Sequence, residues 1–254
     1  MNIIVCAKQV VDVSEMKIDI STNKPILSGI PQKISDIDKN AMEEAIKIKE
    51  KHGGKIIALT IGPSDAKERI KELLAMGADE GMLVTAPENM DYHMTANLIS
   101  EAVKKIGEYD IILCGEASID LFSGQIGPRI AAKLGIPQIT YALKVDAEKE
   151  KLTADRNMGD NVVTSESTYP VLVTVTKEIN EPRLPSLMQI LGAANKPINE
   201  VAADSLSKEL SPLVETIELK GVKMERKNVI YKDDVDESVK QLVDNLAKEG
   251  VLRG

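Results

Sequence analysis

The segment from Tyr109 to Pro137, YDIILCGEASIDLFSGQIGPRIAAKLGIP, holds a strand, a polar loop and a helix in one contiguous unit. Ile111, Ile112 and Leu113 form a short apolar run between turn signals, the pattern of a strand buried on both faces of a parallel sheet. From Gln125 to Leu134, Ile126, Ile130, Ala131 and Leu134 recur at helical spacing, and Gly135 followed by Pro137 ends the helix. Between the two lies Gly115 to Gly124, carrying Glu116, Ser118, Asp120 and Ser123. A loop at the carboxyl end of a strand and the amino end of a helix is where open α/β sheets bind ligands. The free N–H groups of the helix start favour an anion such as phosphate, and Gly127 is expected to keep that first turn bare. Serine, aspartate and glutamine suit a ribose or a base edge. The same composition also describes an ordinary polar connection, so the loop alone names no ligand.

Outward from this segment the unit repeats. Asn2 to Val10 reads as an apolar strand that turns polar at Lys8, and Val11 to Lys33 as a hairpin or loop excursion. Asp38 to Lys51 reads as a helix with Asp36 or Asp38 as N-cap and Met42, Ala45 and Ile46 inward. A strand over Lys55 to Ile61, a turn at Gly62-Pro63-Ser64 and a helix capped by Ser64 and running to Gly77 follow. A strand over Gly81 to Thr85 and a helix over Met94 to Ile106 complete the alternation. Strand and helix in turn predict an α/β fold with a doubly wound, mainly parallel sheet. After Gly135 a Val- and Thr-rich, period-two texture up to Ile179 predicts antiparallel strands on the sheet edge. Asn180 to Leu187 carries two prolines, which forbid regular structure, and Met188 to Ala194 allows a turn or two of helix. The predicted division is a ligand-binding domain over residues 1–200 and a charged C-terminal helical arm over 201–254. The arm ends in a helix, Asp236 to Leu252, whose Val239, Leu242, Val243 and Leu246 stripe must pack on its own domain or on a partner.

Composition excludes several classes of function. With 254 residues and 43% hydrophobic content a normal core is available. A net charge of −8 argues against nucleic acid, and an aromatic content of 2% with no Trp removes the stacking platforms that single strands require. MNIIVCAKQV lacks the charged start of a signal peptide and no run approaches a membrane span, so a cytoplasmic protein without membrane insertion is expected. Cys6 and Cys114 are too few for a disulfide framework or a four-cysteine metal site, and with His52 and His93 elsewhere they read as small buried strand residues. Neither GxGxxG after the first strand nor GxxxxGK[ST] is present, and two histidines give no plausible Ser-His-Asp set, so no catalytic residue and no metal are expected.

Three stretches taken together carry a resemblance. CAKQVVD (6–12), CGEASIDLFSGQIGP (114–128) and TKEINEPRLPSLMQILGAANKP (176–197) resemble, in order and spacing, the small (beta) subunit of electron transfer flavoproteins over residues 1–200. The resemblance implies an adenine-nucleotide-hydrolase-like doubly wound domain, a heterodimer with a larger alpha subunit that carries a mobile flavin, and either FAD or a structural AMP in this subunit. The chain would then be an electron carrier subunit, not a stand-alone enzyme, with an acyl-CoA dehydrogenase-type redox partner. Carried across residue by residue, cofactor-binding positions fall on Cys6, Ala7 and Lys8, on Ser35, Asp36, Ile37 and Asp38, and on Ile61 and Gly62. The remainder are Gly115, Glu116, Ala117, Ser118, Ile119, Asp120, Leu121, Phe122, Ser123, Gly124, Gln125, Ile126 and Gly127. The partner-docking segment implied is Asn180, Glu181, Pro182, Arg183, Leu184, Pro185, Ser186 and Leu187, with Leu187 as the anchor; read without the resemblance, Leu187 is a core residue. Many members have Asn-Pro-Phe before the first helix and a run of aspartates in the central loop, where this chain has Ser35-Asp36-Ile37 and Leu121-Phe122. Those departures resemble the branch associated with carnitine metabolism and nitrogen fixation, and PRLPSL with the long excursion resembles bifurcating members. They imply FAD over AMP, a donor such as NADH, and flavin-based electron bifurcation. The alternatives are a structural AMP-binding subunit and a non-redox adenine-nucleotide-binding regulatory module.

Overall fold

The structure is a computed structural model that describes residues 1–87, 90–208, 211–221 and 227–252. The chain opens with β1 (Asn2–Cys6), the short strands β2 (Gln9–Val11), β3 (Lys17–Ile18), β4 (Pro25–Ile26) and β5 (Gln32–Ile34), and α1 (Asp36–His52). Then come β6 (Lys55–Gly62), α2 (Lys67–Met76), β7 (Glu80–Thr85), α3 (Tyr92–Ile106), β8 (Ile111–Gly115) and α4 (Ile126–Leu134). The second half contributes β9 (Gln138–Ala147), β10 (Lys151–Asn157), β11 (Val162–Thr168), β12 (Val171–Val175), α5 (Leu187–Ala193), β13 (Ile198–Ala202), α6 (Ala203–Leu206) and α7 (Val235–Lys248).

One sheet of nine strands, in the order β11-β10-β9-β12-β8-β1-β6-β7-β13, forms the middle layer. From β9 to β13 all neighbours are parallel, while β10 and β11 run antiparallel at one edge. Ile3 and Val5 of β1 enter a core shared with α1 and α2, whereas Ile4 and Cys6 enter a second core with α3 and α4. This two-sided burial is why β1 and β8 read as unbroken apolar runs rather than alternating ones. The chain moves outward from β1 through β6 to β7, and α3 then returns it to β8 on the other side of β1. Direction therefore reverses between β1 and β8, which defines the switch point of the sheet. Among the described residues no helix is long and apolar enough to cross a membrane.

Several local expectations are corrected. The N-cap of α1 is Ser35, not Asp36 or Asp38, and its hydroxyl accepts from the Ile119 N–H instead of from its own helix. Ser64 begins a 3-10 turn, Ser64–Ala66, and makes no capping bond to α2. Within the stretch predicted to be antiparallel edge, β12 lies inside the sheet, parallel to β8 and β9 and buried along its whole length. At the opposite edge lies a strand the sequence reading did not name, β13, which pairs with β7. Leu187 begins α5 rather than lying in a loop, with Ser186 and Gln189 forming a capping box. The excursion contains two antiparallel pairs, β2 with β5 and β3 with β4, and Asn23 in it receives the arm through two hydrogen bonds with Gly221. The terminal helix α7 is capped by Asp234 and buries none of its residues; Val235, Val239, Leu242 and Val243 are exposed.

Candidate nucleotide site and docking loop

At the switch point the chain leaving β1 and the chain leaving β8 are joined by a carboxylate. The Lys8 N–H donates to Asp38 Oδ2 and the Gly115 N–H to Asp38 Oδ1, each at 2.9 Å. Asp38 reaches them from the first turn of α1, and Ser35 ties the same turn to Lys8 through its own N–H and to the central loop through its hydroxyl. Gly115 has to be glycine for this contact. A Cβ there would lie 2.7 Å from Asp38 Oδ1 and 3.0 Å from the Ile37 Cβ. Across the opening the Lys8 ammonium lies 2.6 Å from Asp120 Oδ2, so the central loop is pinned over the end of β1.

The sequence-assigned positions thus converge, but in different capacities. Cys6, Ile37, Asp38, Ser35, Ala117 and Gly127 are buried beneath the crevice. Ala7 is buried and its N–H is bonded to Leu59 O, while Ile61 and Gly62 end β6 beside it. Asp36 is engaged by Lys33, whose Nζ donates to it at 3.1 Å. Glu116, Ser118, Ile119, Asp120, Ser123, Gly124 and Ile126 are half-buried along the loop, and Leu121, Phe122 and Gln125 are exposed. Phe122 (φ 47°) and Gly124 (φ 65°) take the left-handed conformation that folds the loop back before α4. Gln125 is engaged with Arg129 at 2.8 Å. The reason expected for Gly127 is corrected: its missing side chain faces the sheet, where a Cβ would meet Thr174 Cγ2 at 2.5 Å and Cys114 Sγ at 3.3 Å. Close packing of α4 on β12 and β8 is what excludes a side chain there.

The electrostatics disfavour covalent chemistry on the protein itself. Burial, followed by the nearby Asp38 charge, pushes the Cys6 thiol up to about 12, and burial with Cys6 and Asp38 holds Cys114 well above its ordinary value. Neither is a nucleophile as a neutral thiol. Burial outweighs the two backbone donors and pushes Asp38 up to about 7, and burial followed by Glu178 raises Glu116. What the crevice offers is donors. The Ser118 and Ser123 hydroxyls make no hydrogen bond to other described residues, Ser123 precedes the start of α4 by three residues, and Lys8 supplies a cation paired with Asp120. This set suits a nucleotide diphosphate. Beyond Gly124 a cleft of about 240 Å³ is lined by Glu116, Pro128, Gln138, Thr140, Tyr141, Arg156 and Thr174, of which only Glu116 was singled out in the sequence. Its walls come from two irregularities, in β9 against β12 and in β10 against β9, with Tyr141 at φ 58°; no local residue pattern marks such a site.

The second predicted segment is stapled to α1. The Asn180 amide donates to Asn40 O and Glu44 Oε2, and Asn40 donates to Asn180 O at 2.7 Å. Arg183 grips Glu43 with Nε and Nη2 at 2.9 and 3.0 Å and also reaches Glu50. Asn180 and Arg183 are therefore consumed inside the chain. Held between them, Glu181 is exposed and Pro182 half-buried; beyond them Pro185 is half-buried and Ser186 exposed. Leu184 and Leu187 are 92% and 70% exposed, which removes the core reading of Leu187.

The model of the electron transfer flavoprotein domain matches residues 26–206. An electron transfer flavoprotein subunit beta from Thermoanaerobacterium thermosaccharolyticum is 40% identical over 99% of this chain and 100% of its own length. The caffeyl-CoA reductase-Etf complex subunit CarD of Acetobacterium woodii is 38% identical over 78% of this chain and 77% of its own. An acryloyl-CoA reductase electron transfer subunit gamma from Anaerotignum propionicum is 36% identical over 87% and 85%. A family model covering well over half of the chain, and a relative matched end to end, carry one conclusion: the chain belongs to the electron transfer flavoprotein family, in its beta-subunit group.

Proposed function

We propose that this chain is the nucleotide-binding half of a two-subunit electron carrier and that its nucleotide is FAD. It would pass electrons between a donor such as NADH and an acyl-CoA dehydrogenase-type partner. The observation that carries the reading is the convergence of Lys8, Gly115, the unpartnered hydroxyls of Ser118 and Ser123 and the start of α4 at the switch point between β1 and β8. When bound, the flavin supplies the redox chemistry; the side chains position it and move no bond of their own. Lys8 and the N–H groups of α4 would hold the diphosphate and Ser118 and Ser123 the sugar hydroxyls, with the cleft of about 240 Å³ beyond Gly124 adjoining the loop. Relatives named for caffeyl-CoA and acryloyl-CoA reductases favour an acyl-CoA-type partner, and flavin-based bifurcation belongs to the same reading. A larger alpha subunit would bury the exposed apolar stripe of α7, and the exposed leucines of the 180–187 segment would dock the redox partner. Two buried free thiols suit a reducing compartment such as the cytoplasm.

Coexpression with the larger subunit, denaturation and separation of the released small molecules test the cofactor. Two FAD per heterodimer with little AMP are expected. One FAD and one AMP would refute FAD in this subunit, and a colourless, unpartnered chain would favour the regulatory-module alternative.

A further inference from the structure

Asp38 was expected to touch the ligand, yet both of its oxygens point at backbone. Asp38 is 6% exposed, and its carboxylate receives the N–H groups of Lys8 and Gly115, residues 107 positions apart that leave the two strands flanking the switch point. No side chain larger than hydrogen fits at Gly115 without striking that carboxylate. We propose that Asp38 is a positioning residue: it sets the spacing of the two chain segments that form the crevice floor, and so the orientation of Lys8 and of the loop from Gly115, without contacting the ligand. This rests on the nucleotide reading above. The two accepted bonds require both oxygens to be acceptors, which only the ionised carboxylate provides in full. In an asparagine the amide nitrogen would face a backbone donor, leaving one N–H unpaired beneath the crevice.

The groups facing Asp38 are the Lys8 ammonium beyond β1, Asp120 in the central loop, and the thiols of Cys6 on β1 and Cys114 on β8. Both thiols stay neutral through the physiological range, whereas Asp38 is pushed up to about 7. The sign of its effect on folding follows from the raised value. Asp38 favours the folded chain when protonated, below its ordinary 3.8, and that contribution is lost as pH rises through about 7. Asp38→Asn abolishes this charge penalty at pH 8 while unpairing one N–H, two effects of opposite sign, so the unfolding midpoint should change little. Ligand affinity has no such offset.

The test uses the full chain and ADP-ribose, which carries the adenosine diphosphate of FAD but whose phosphate diester does not titrate between pH 6 and 8. Wild type should bind several-fold more weakly at pH 6 than at pH 8. Asp38→Asn should bind about tenfold more weakly than wild type at pH 8 and show no pH dependence, with its thermal midpoint nearly unchanged. Equal affinity of variant and wild type overturns the proposal. So does tighter wild-type binding at pH 6, which would mean that the carboxylate faces the ligand and repels its anion. A midpoint that falls in parallel with affinity would reduce Asp38 to a structural residue and also overturns it. If wild type binds no ADP-ribose at any pH, the proposal falls together with the nucleotide reading, whereas wild-type binding with an indifferent variant removes the proposal alone.

Discussion

Arg183→Ala should lower the thermal midpoint of the chain by roughly 6–12 °C, corresponding to a loss of about 3 kcal/mol. Glu43, 3% exposed on the inner face of α1, is gripped by two guanidinium nitrogens and by the Arg183 backbone N–H. Removing the guanidinium leaves that carboxylate with a single donor in a site with little access to water. The low end of the range for a broken buried pair applies because the Arg183 side chain is itself 36% exposed. Because the loss comes from an orphaned charge, Arg183→Ala combined with Glu43→Gln should recover much of it. An unchanged midpoint with impaired electron transfer would instead make Arg183 a partner contact.

Leu187→Ala is expected to have the opposite profile. Leu187 is the first residue of α5, with Met188 and Leu191 also exposed on this short helix and Leu184 just before it. Capping by Ser186 and Gln189 does not involve the Leu187 side chain, so the helix should survive the substitution. An apolar anchor at the centre of an interface is worth a few kcal/mol, and docking to the redox partner should weaken ten- to a hundredfold, about 1.4 to 2.8 kcal/mol. Thermal unfolding should not move. A destabilised variant with intact partner reduction kinetics would end the docking assignment. The two variants separate the segment into a part that holds it and a part that it presents.

How much of this was legible before folding depends on whether the causes were local. β1, β6, β7 and β8 show as apolar runs because both faces are covered, and α4 announces its end through Gly135, which adopts φ 67° as its C-cap. β13 was not legible: INEVA buries only Val201 and exists because it pairs with β7, more than 100 residues earlier. β12 resembles its antiparallel neighbours in composition, and only its insertion between β8 and β9 makes it a parallel interior strand. The candidate site divides in the same way. Its loop and the positions around it were readable from spacing and family resemblance. That Asp38 serves backbone donors, that Gly127 serves helix packing and that Arg183 serves Glu43 are facts of long-range contact, invisible in residue type.

The central claim, that an adenine nucleotide lies over the ends of β1 and β8, is tested most directly by photolabelling the full chain with 8-azido-AMP and sequencing the modified tryptic peptides. The label should fall on the peptide from Ile106 to Arg129, which carries the central loop, and excess unlabelled FAD should abolish it. Label confined to other peptides, or undiminished by FAD, would contradict the assignment.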